Sequence, residues 1–379
     1  MVLFFFEILL IAMLVSIACA IPGVFLVLKR LSLMSDAVSH AILFGIVIVF
    51  AIVNDLNSPL MIAGAALTGV LTAFLVDILQ KSQLVKEDAA IGIVFPLLFS
   101  LGVLLITRNF SNIHLDVDAV LLGELAFAPF ERLTISGIDI GAKAIYSMGT
   151  IAGLNIILLV LFYKELKIST FDSALSSAAG FSPVIINYGL MIMVSLTSVT
   201  AFNSVGSILV IAFMIAPAAS AYLMSDNLVV IIILAVIFGI ISAVCGFFLA
   251  YITDTNIAGA MASVTGIVFL FSFLLAPSRG IISRIHRNSA QKKEFACIMV
   301  LIHVLNHAGS SEFIDECDSR NIYKHLGWEK DFAEQIIKTI LRKKYAYKQD
   351  NALILFPAGE ALAKDTMTLG RTDRTQLLY

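Results

Sequence analysis

Residues 30–45 read RLSLMSDAVSHAILFG and place an acid, Asp36, and a histidine, His40, four residues apart inside a long apolar run. A charged group at the centre of a bilayer costs roughly 2.5–3.5 kcal/mol on insertion scales, and such groups usually face a cavity or an ion path. Because positions i and i+4 share one face of a helix, both side chains can point at the same ion. The stretch therefore predicts a membrane helix that carries a functional polar pair.

The composition of the whole chain indicates a membrane protein with a polar extension. Hydrophobic residues make up 59% of the 379 residues, charged residues make up 14%, and the mean hydropathy is +0.97. These values lie outside the range of ordinary soluble domains. Of the 52 charged residues, 25 fall in residues 1–282 and 27 in the last 97. We therefore expect a membrane domain over residues 1–285 and a polar domain over residues 286–379.

Apolar runs of about 20 residues, long enough to cross the hydrocarbon of a bilayer, recur along the first domain. They predict an all-α polytopic membrane protein with eight or nine transmembrane helices. The count is eight if the chain at Phe202-Asn203-Ser204 forms a bent or re-entrant helix rather than a break between two spans. The nine runs lie at 5–28, 34–53, 59–79, 89–107, 143–163, 184–202, 205–224, 229–251 and 257–277.

Basic residues in the short loops predict the orientation, because such loops resist translocation. They fall at alternate ends of the apolar runs, and we assign those ends to the cytoplasm. This places the N-terminus outside and the polar domain in the cytosol of a bacterial-type cytoplasmic membrane. The basic groups are Lys29-Arg30, Lys81 with Lys86, Lys164 with Lys167, and Arg279 with Arg284 and Arg287.

A carboxylate and a neutral imidazole on one helix face suit Mn²⁺, Fe²⁺ or Zn²⁺ better than K⁺ or an organic solute. Two ligands do not close a coordination shell, so water, another helix or a second subunit has to complete it. The alternative is that Asp36 pairs with His40, or caps the helix start near Ser32 and Ser35, without a metal. The residues alone leave both interpretations open.

Three stretches together resemble a known family: KRLSLMSDAVSHAILFG, VKEDAAIGIVFPLLFSLGVLL and YKELKISTFDSALSSAAGF. Over residues 10–285 the chain is similar to the membrane permeases of ATP-binding cassette (ABC) importers for manganese, zinc and iron. The resemblance implies that Asp36 and His40, which match the family's D-x-x-x-H motif, bind the metal in transit. It also implies that the third stretch forms a coupling helix that contacts the ATPase through Phe171, Asp172 and Gly180.

The same resemblance implies the partners: an ABC ATPase subunit, a second permease subunit that is identical or related, and an extracytoplasmic metal-binding protein. The cargo is expected to be Mn²⁺, with Zn²⁺ or Fe²⁺ nearly as acceptable, and no permanently bound cofactor is expected. The chain contains no GxxxxGK[ST] phosphate loop, so we expect ATP hydrolysis on a separate subunit and no enzymatic activity here. From its small residues, the coupling stretch predicts a short helix over 173–180, capped by Ser169 or Thr170.

The polar domain reads as helix, turn, helix, two short strands joined at Asp350-Asn351, and a final helix. This order resembles a winged-helix module, so we predict a small α+β domain. Acidic residues offset the basic residues on its second helix, which favours a protein-interaction or regulatory role over nucleic-acid binding. For His303 and His307 we expect surface or packing roles.

Two other functions compete with transport by an ABC permease. A membrane-anchored metal sensor would detect metal at Asp36 and His40 and act through the polar domain, and a secondary carrier would use an ion gradient. In the long segment 108–142 we interpret His114, Asp116 and Asp118 as part of a solvated acidic loop, and we leave Glu124 out of the site.

Overall fold

The computed structural model describes two compact units, residues 1–281 and residues 282–379. Each unit has its own buried apolar core. The described residues are 2–54, 58, 60–109, 125–135, 138–277, 279–310 and 313–372.

The first unit is a bundle of helices. Nine of the helices in the described residues are long and apolar enough to cross a membrane, so the predicted polytopic class is confirmed with the higher count. The spanning helices are α1 (Val2–Leu28), α2 (Ser32–Val53), α3 (Leu60–Lys81), α4 (Glu87–Asn109), α5 (Lys143–Leu161), α8 (Pro183–Val205), α9 (Ser207–Met224), α10 (Leu228–Thr253) and α11 (Ile257–Leu275). Two short helices, α6 (Tyr163–Phe171) and α7 (Ser173–Ala178), lie between α5 and α8.

A single residue, Gly206, separates α8 from α9. Its backbone has φ 81° and ψ 162°, a conformation that only glycine adopts without strain. The break between the spans therefore falls just after the polar residues that suggested it, because α8 continues through them to Val205.

Helix α1 lies at the centre of the first unit, with 72% of its most apolar window buried. It packs against α5, α8, α9 and α10, while α2 packs mainly against α3 and α4. Glycines allow these helices to approach closely. A Cβ atom on Gly23 of α1 would meet the carbonyl oxygen of Met214 in α9, and on Gly45 of α2 it would lie 2.9 Å from the carbonyl carbon of Gly64 in α3.

A two-stranded hairpin, β1 (Arg132–Ile135) and β2 (Ile138–Ala142), precedes α5. The Arg132 guanidinium donates to both carboxylate oxygens of Glu7 in α1, at 2.9 and 3.0 Å, and to Asp139 at 2.8 Å. The Glu7 side chain is only 9% exposed, so the arginine compensates a nearly buried charge. Hydrogen bonding to Arg132 lowers the pKa of Asp139.

The second unit ends, as the sequence suggested, in a helix, one hairpin and a final helix, and the segment before them contains two short helices as well as the long first one. The assignment of this unit as a winged helix stays a prediction. The hairpin turn is Asp350-Asn351, with φ values of 51° and 69°, as expected for a two-residue turn. The elements are α12 (Ile281–His307), α13 (Phe313–Glu316), α14 (Ile322–His325), α15 (Lys330–Arg342), β3 (Ala346–Gln349), β4 (Ala352–Leu355) and α16 (Pro357–Thr372).

Candidate functional site

Asp36 and His40 lie on successive turns of α2 and face each other. His40 Nε2 is 3.3 Å from Asp36 Oδ1, and the two side chains are 27% and 42% exposed, respectively. For an ion at about 2.1 Å from each atom, this separation corresponds to a ligand–metal–ligand angle of about 105°, close to the tetrahedral value. The separation of the two atoms is therefore compatible with two ligands of one transition-metal ion.

The neighbouring helices fix the orientation of the pair. The His40 ring packs against Phe95 and Phe99 of α4, with ring centroids 5.5 and 6.0 Å apart. One residue before Asp36, the Ser35 hydroxyl donates to the sulfur of Met214 in α9 at 3.0 Å. Contacts with α4 and α9 thus hold both turns of α2 in place.

Of the two interpretations without a metal, capping of α2 by Asp36 is wrong, whereas pairing of Asp36 with His40 is observed. The helix start at Leu31 has no side-chain cap, so Asp36 does not cap α2. Pairing of Asp36 with His40 is observed, and it is compatible with metal binding because the metal would replace a proton between the same two atoms. Among the described residues, no third carboxylate, imidazole or thiol joins this pair to make a group of three.

An open surface lies beside the pair on α4. A shallow cavity of about 500 Å³ is lined by residues of this one helix, from Phe99, which contacts His40, to Arg108. Several apolar side chains of α4 are also exposed, including Ile93, Leu97 and Leu104 at 52%, 53% and 58%. By helical spacing these three residues lie on the face of α4 away from Phe95 and Phe99, so the surface that adjoins the polar pair is the part of the cavity around Phe99.

The predicted coupling residues lie in and after the short helices α6 and α7. Phe171 ends α6 and is 58% exposed, while Gly180 has φ +86°. The prediction that Ser169 or Thr170 caps the second short helix is wrong, because both lie inside α6. Asp172 is the cap: its carboxylate accepts a hydrogen bond from the backbone N–H of Leu175 at 2.9 Å.

The outer-loop candidates His114, Asp116, Asp118 and Glu124 lie outside the described residues. The second unit, in contrast, contains a cluster that the sequence interpretation missed. His303 and His307 lie close to Glu316, which belongs to a different helix. The i, i+4 spacing of the histidines was visible in the sequence, but the acid that joins them comes from a separate segment.

Comparison with known proteins places the chain among metal transporters. A family model described as the ABC 3 transport family matches residues 1–276. The chain is 41% identical to the zinc transport system membrane protein TroD of Treponema pallidum, over 94% of this chain and 97% of that protein. It is 43% identical to the manganese transport system membrane protein MntD of Bacillus subtilis, over 75% and 96% of the two chains.

A solved structure, PsaBC from Streptococcus pneumoniae in complex with Fab, has the same architecture in the membrane unit. The TM-score is 0.60 at 31% sequence identity, and the match covers 73% of this chain and 93% of that one.

Proposed function

The chain belongs to the ABC 3 transport family as a multi-pass permease subunit, and from this premise we propose that it imports a divalent transition metal ion along a path that includes Asp36 and His40. It is not an enzyme, since ATP hydrolysis in this family belongs to a separate subunit. The main support for the proposed site is the separation of 3.3 Å between His40 Nε2 and Asp36 Oδ1.

The exposure of the pair favours a second permease subunit. Asp36 is 42% exposed, and its partner His40 contacts Phe99, which lines the open cavity on α4. An acid left facing lipid would cost a few kcal/mol, whereas a subunit interface would shield it and supply further ligands.

An ion in transit has to bind and then leave. Two ligands from this chain, completed by water or by the second subunit, would hold the ion weakly enough for release once the pathway opens to the other side. The favoured cargo is Mn²⁺, with Zn²⁺ and Fe²⁺ as close alternatives, because carboxylate and imidazole ligands accept all three ions. The relatives named above transport zinc and manganese.

The remaining parts of the proposal concern partners and orientation. An extracytoplasmic metal-binding protein delivers the ion, and an ABC ATPase docks at Phe171, Asp172 and Gly180. The exposed Phe171 ring and the Asp172-capped helix α7 support this docking, because they offer an apolar and rigid contact. The distribution of basic loops supports an outside N-terminus and a cytosolic second unit in a bacterial-type inner membrane.

Metal uptake by reconstituted vesicles tests the proposal. The vesicles contain the permease, its ATPase and its binding protein, and uptake of radioactive Mn²⁺ or Zn²⁺ is compared with and without ATP. We expect Asp36→Ala and His40→Ala to lower ATP-dependent uptake by at least about tenfold, since each removes a metal ligand. Asp77→Asn, which alters another acid with an i, i+4 partner in a neighbouring span, is the matched control and should retain uptake.

Absence of ATP-dependent metal uptake by the wild-type assembly would refute the proposed function. Wild-type rates in both Asp36→Ala and His40→Ala would refute the site while leaving the function intact.

A further inference from the structure

The second unit contains a compact group of metal-ligating side chains at some distance along the chain from the membrane pair. His303 and His307 lie one turn apart near the end of α12, and Glu316 ends α13. One potential ligand atom from each of the three residues lies within 4.8 Å of the others. A third histidine, His325 at the end of α14, places Nδ1 at 2.9 Å from Glu316 Oε2.

We propose that His303, His307 and Glu316 bind one divalent transition metal ion in the second unit, with water as a fourth ligand and with His325 holding the Glu316 carboxylate in place. This site is separate from Asp36 and His40 and adds a metal-binding activity to the proposed transport function. Imidazole nitrogens with one carboxylate match the ligand sets of Zn²⁺, which takes four ligands in a tetrahedral arrangement. Zn²⁺ is therefore the favoured occupant, and other imidazole-binding ions such as Co²⁺ should substitute for it.

The charges around Glu316 favour the binding of a metal cation. Within the described part of the chain its ion-pair contacts are to His303, at 3.7 Å, and to His325, with no Lys or Arg among them. Its side chain is only 26% exposed. When the imidazoles are neutral, the carboxylate has no positive partner, and a bound metal ion would supply that charge.

The cluster is also held rigidly. Val304 and Cys317, which follow His303 and Glu316, and Ile322, which lies one turn before His325, are almost fully buried at 2%, 0% and 0% exposure. All three belong to the core of this unit, so the core fixes the segments that carry the ligands. His303 Nε2 lies 3.1 Å from the carbonyl oxygen of Glu316, which holds the ring against the segment bearing the acid. Such preorganisation is what a metal site requires.

Cys317 is next to Glu316 but does not belong to the ligand set. Its side chain is fully buried in the core of this unit, and its sulfur is not among the clustered ligand atoms. The ligands that remain are nitrogen and oxygen atoms.

The test uses the full-length chain purified in detergent and carrying Asp36→Ala and His40→Ala, so that the membrane pair cannot contribute. After incubation with Zn²⁺ and gel filtration, bound metal is measured by mass spectrometry. Co²⁺ serves as a spectroscopic probe, because four-coordinate Co²⁺ absorbs visible light strongly. We expect about one Zn²⁺ per chain and a four-coordinate Co²⁺ spectrum.

His307→Ala and Glu316→Gln, each added to this background, should weaken Zn²⁺ binding at least about tenfold and abolish the Co²⁺ spectrum. Glu316→Gln preserves the side-chain shape, so it keeps the test valid if the alanine variant folds poorly. His286→Ala changes an exposed histidine on the same helix α12 and is the matched control.

Equal Zn²⁺ binding by the background chain and by Glu316→Gln would overturn the proposal, as would a background chain that binds no metal. Because the readout is binding in a chain without the membrane pair, neither result depends on whether the protein transports metal.

Discussion

Replacing Gly23 by alanine tests how the packing of α1 against α9 positions the candidate metal pair. A Cβ atom at this position would meet the carbonyl oxygen of Met214, and it would lie 2.8 Å from the carbonyl carbon and 3.2 Å from the Cα atom. Ordinary carbon contacts begin near 3.5 Å, so the helices have to separate by on the order of 1 Å. Since the obstacle is backbone, a side-chain rotation cannot relieve it.

The net cost follows from two opposing terms. Overpacking of a close interface costs about 1–3 kcal/mol, and a backbone clash belongs at the upper end. Alanine recovers about 1 kcal/mol through its higher helix propensity. The expected net destabilisation is about 2 kcal/mol, which corresponds to a decrease of about 4–8 °C in the thermal midpoint.

The substitution should also affect transport. Met214 accepts the hydrogen bond from Ser35, the residue before Asp36, so a shift of α9 disturbs the turn that carries the acid. We therefore expect metal uptake per folded Gly23→Ala permease to fall. Thermal stability is measured by fluorescence-detected gel filtration, and uptake is measured in the reconstituted complex.

Gly153→Ala in α5 is the matched control, because a Cβ atom there meets nothing within 4 Å. The control should be as stable as wild type or more stable. If Gly23→Ala has the same thermal midpoint as Gly153→Ala, the close contact between α1 and α9 does not exist as described.

Two sets of substitutions and one labelling experiment test other parts of the structure. Arg132→Met leaves the Glu7 carboxylate nearly buried and unpaired, so it should lower the thermal midpoint of unfolding, and adding Glu7→Gln should recover most of the loss. The absence of recovery would contradict the ion pair. Asp172→Ala should lower permease-stimulated ATP hydrolysis, because loss of the cap weakens α7 by about 0.5–2 kcal/mol, whereas Asp172→Asn should preserve it. Cys317 should react with a maleimide only after denaturation, because it is buried with a pKa of about 11, and rapid labelling of the folded chain would exclude this burial.

The membrane architecture could be predicted from the sequence because backbone groups in lipid have to be satisfied within helices. Each long apolar run is therefore expected to form a membrane-spanning helix. The break between α8 and α9 was placed slightly too early, since Ser204 continues the helix and the positive φ of Gly206 ends it. Polarity indicates where a helix can end, but backbone conformation decides the residue.

The local geometry of the polar pair was also predictable, because residues four apart on a helix must lie together. The N-cap of α7 was harder to predict from the sequence. Serine, threonine and aspartate are all good caps, and Asp172 is the cap because α6 ends at the residue before it. Of the cluster around Glu316, only the i, i+4 spacing of His303 and His307 was visible in the sequence. Glu316 and His325 lie on two other helices, and only tertiary packing brings them to the two histidines.

Direct binding of the transported ion by His40 and Asp36 can be observed on the ion itself. Pulsed electron paramagnetic resonance of Mn²⁺ detects a coordinated imidazole nitrogen. It is applied to the assembled complex, in which the permease also carries His303→Ala and His307→Ala so that the proposed metal site of the second unit is removed. We expect nitrogen modulation from bound Mn²⁺ in this background and in the Asp77→Asn control, and we expect it to disappear in His40→Ala. Unchanged modulation in His40→Ala would show that the ion binds elsewhere.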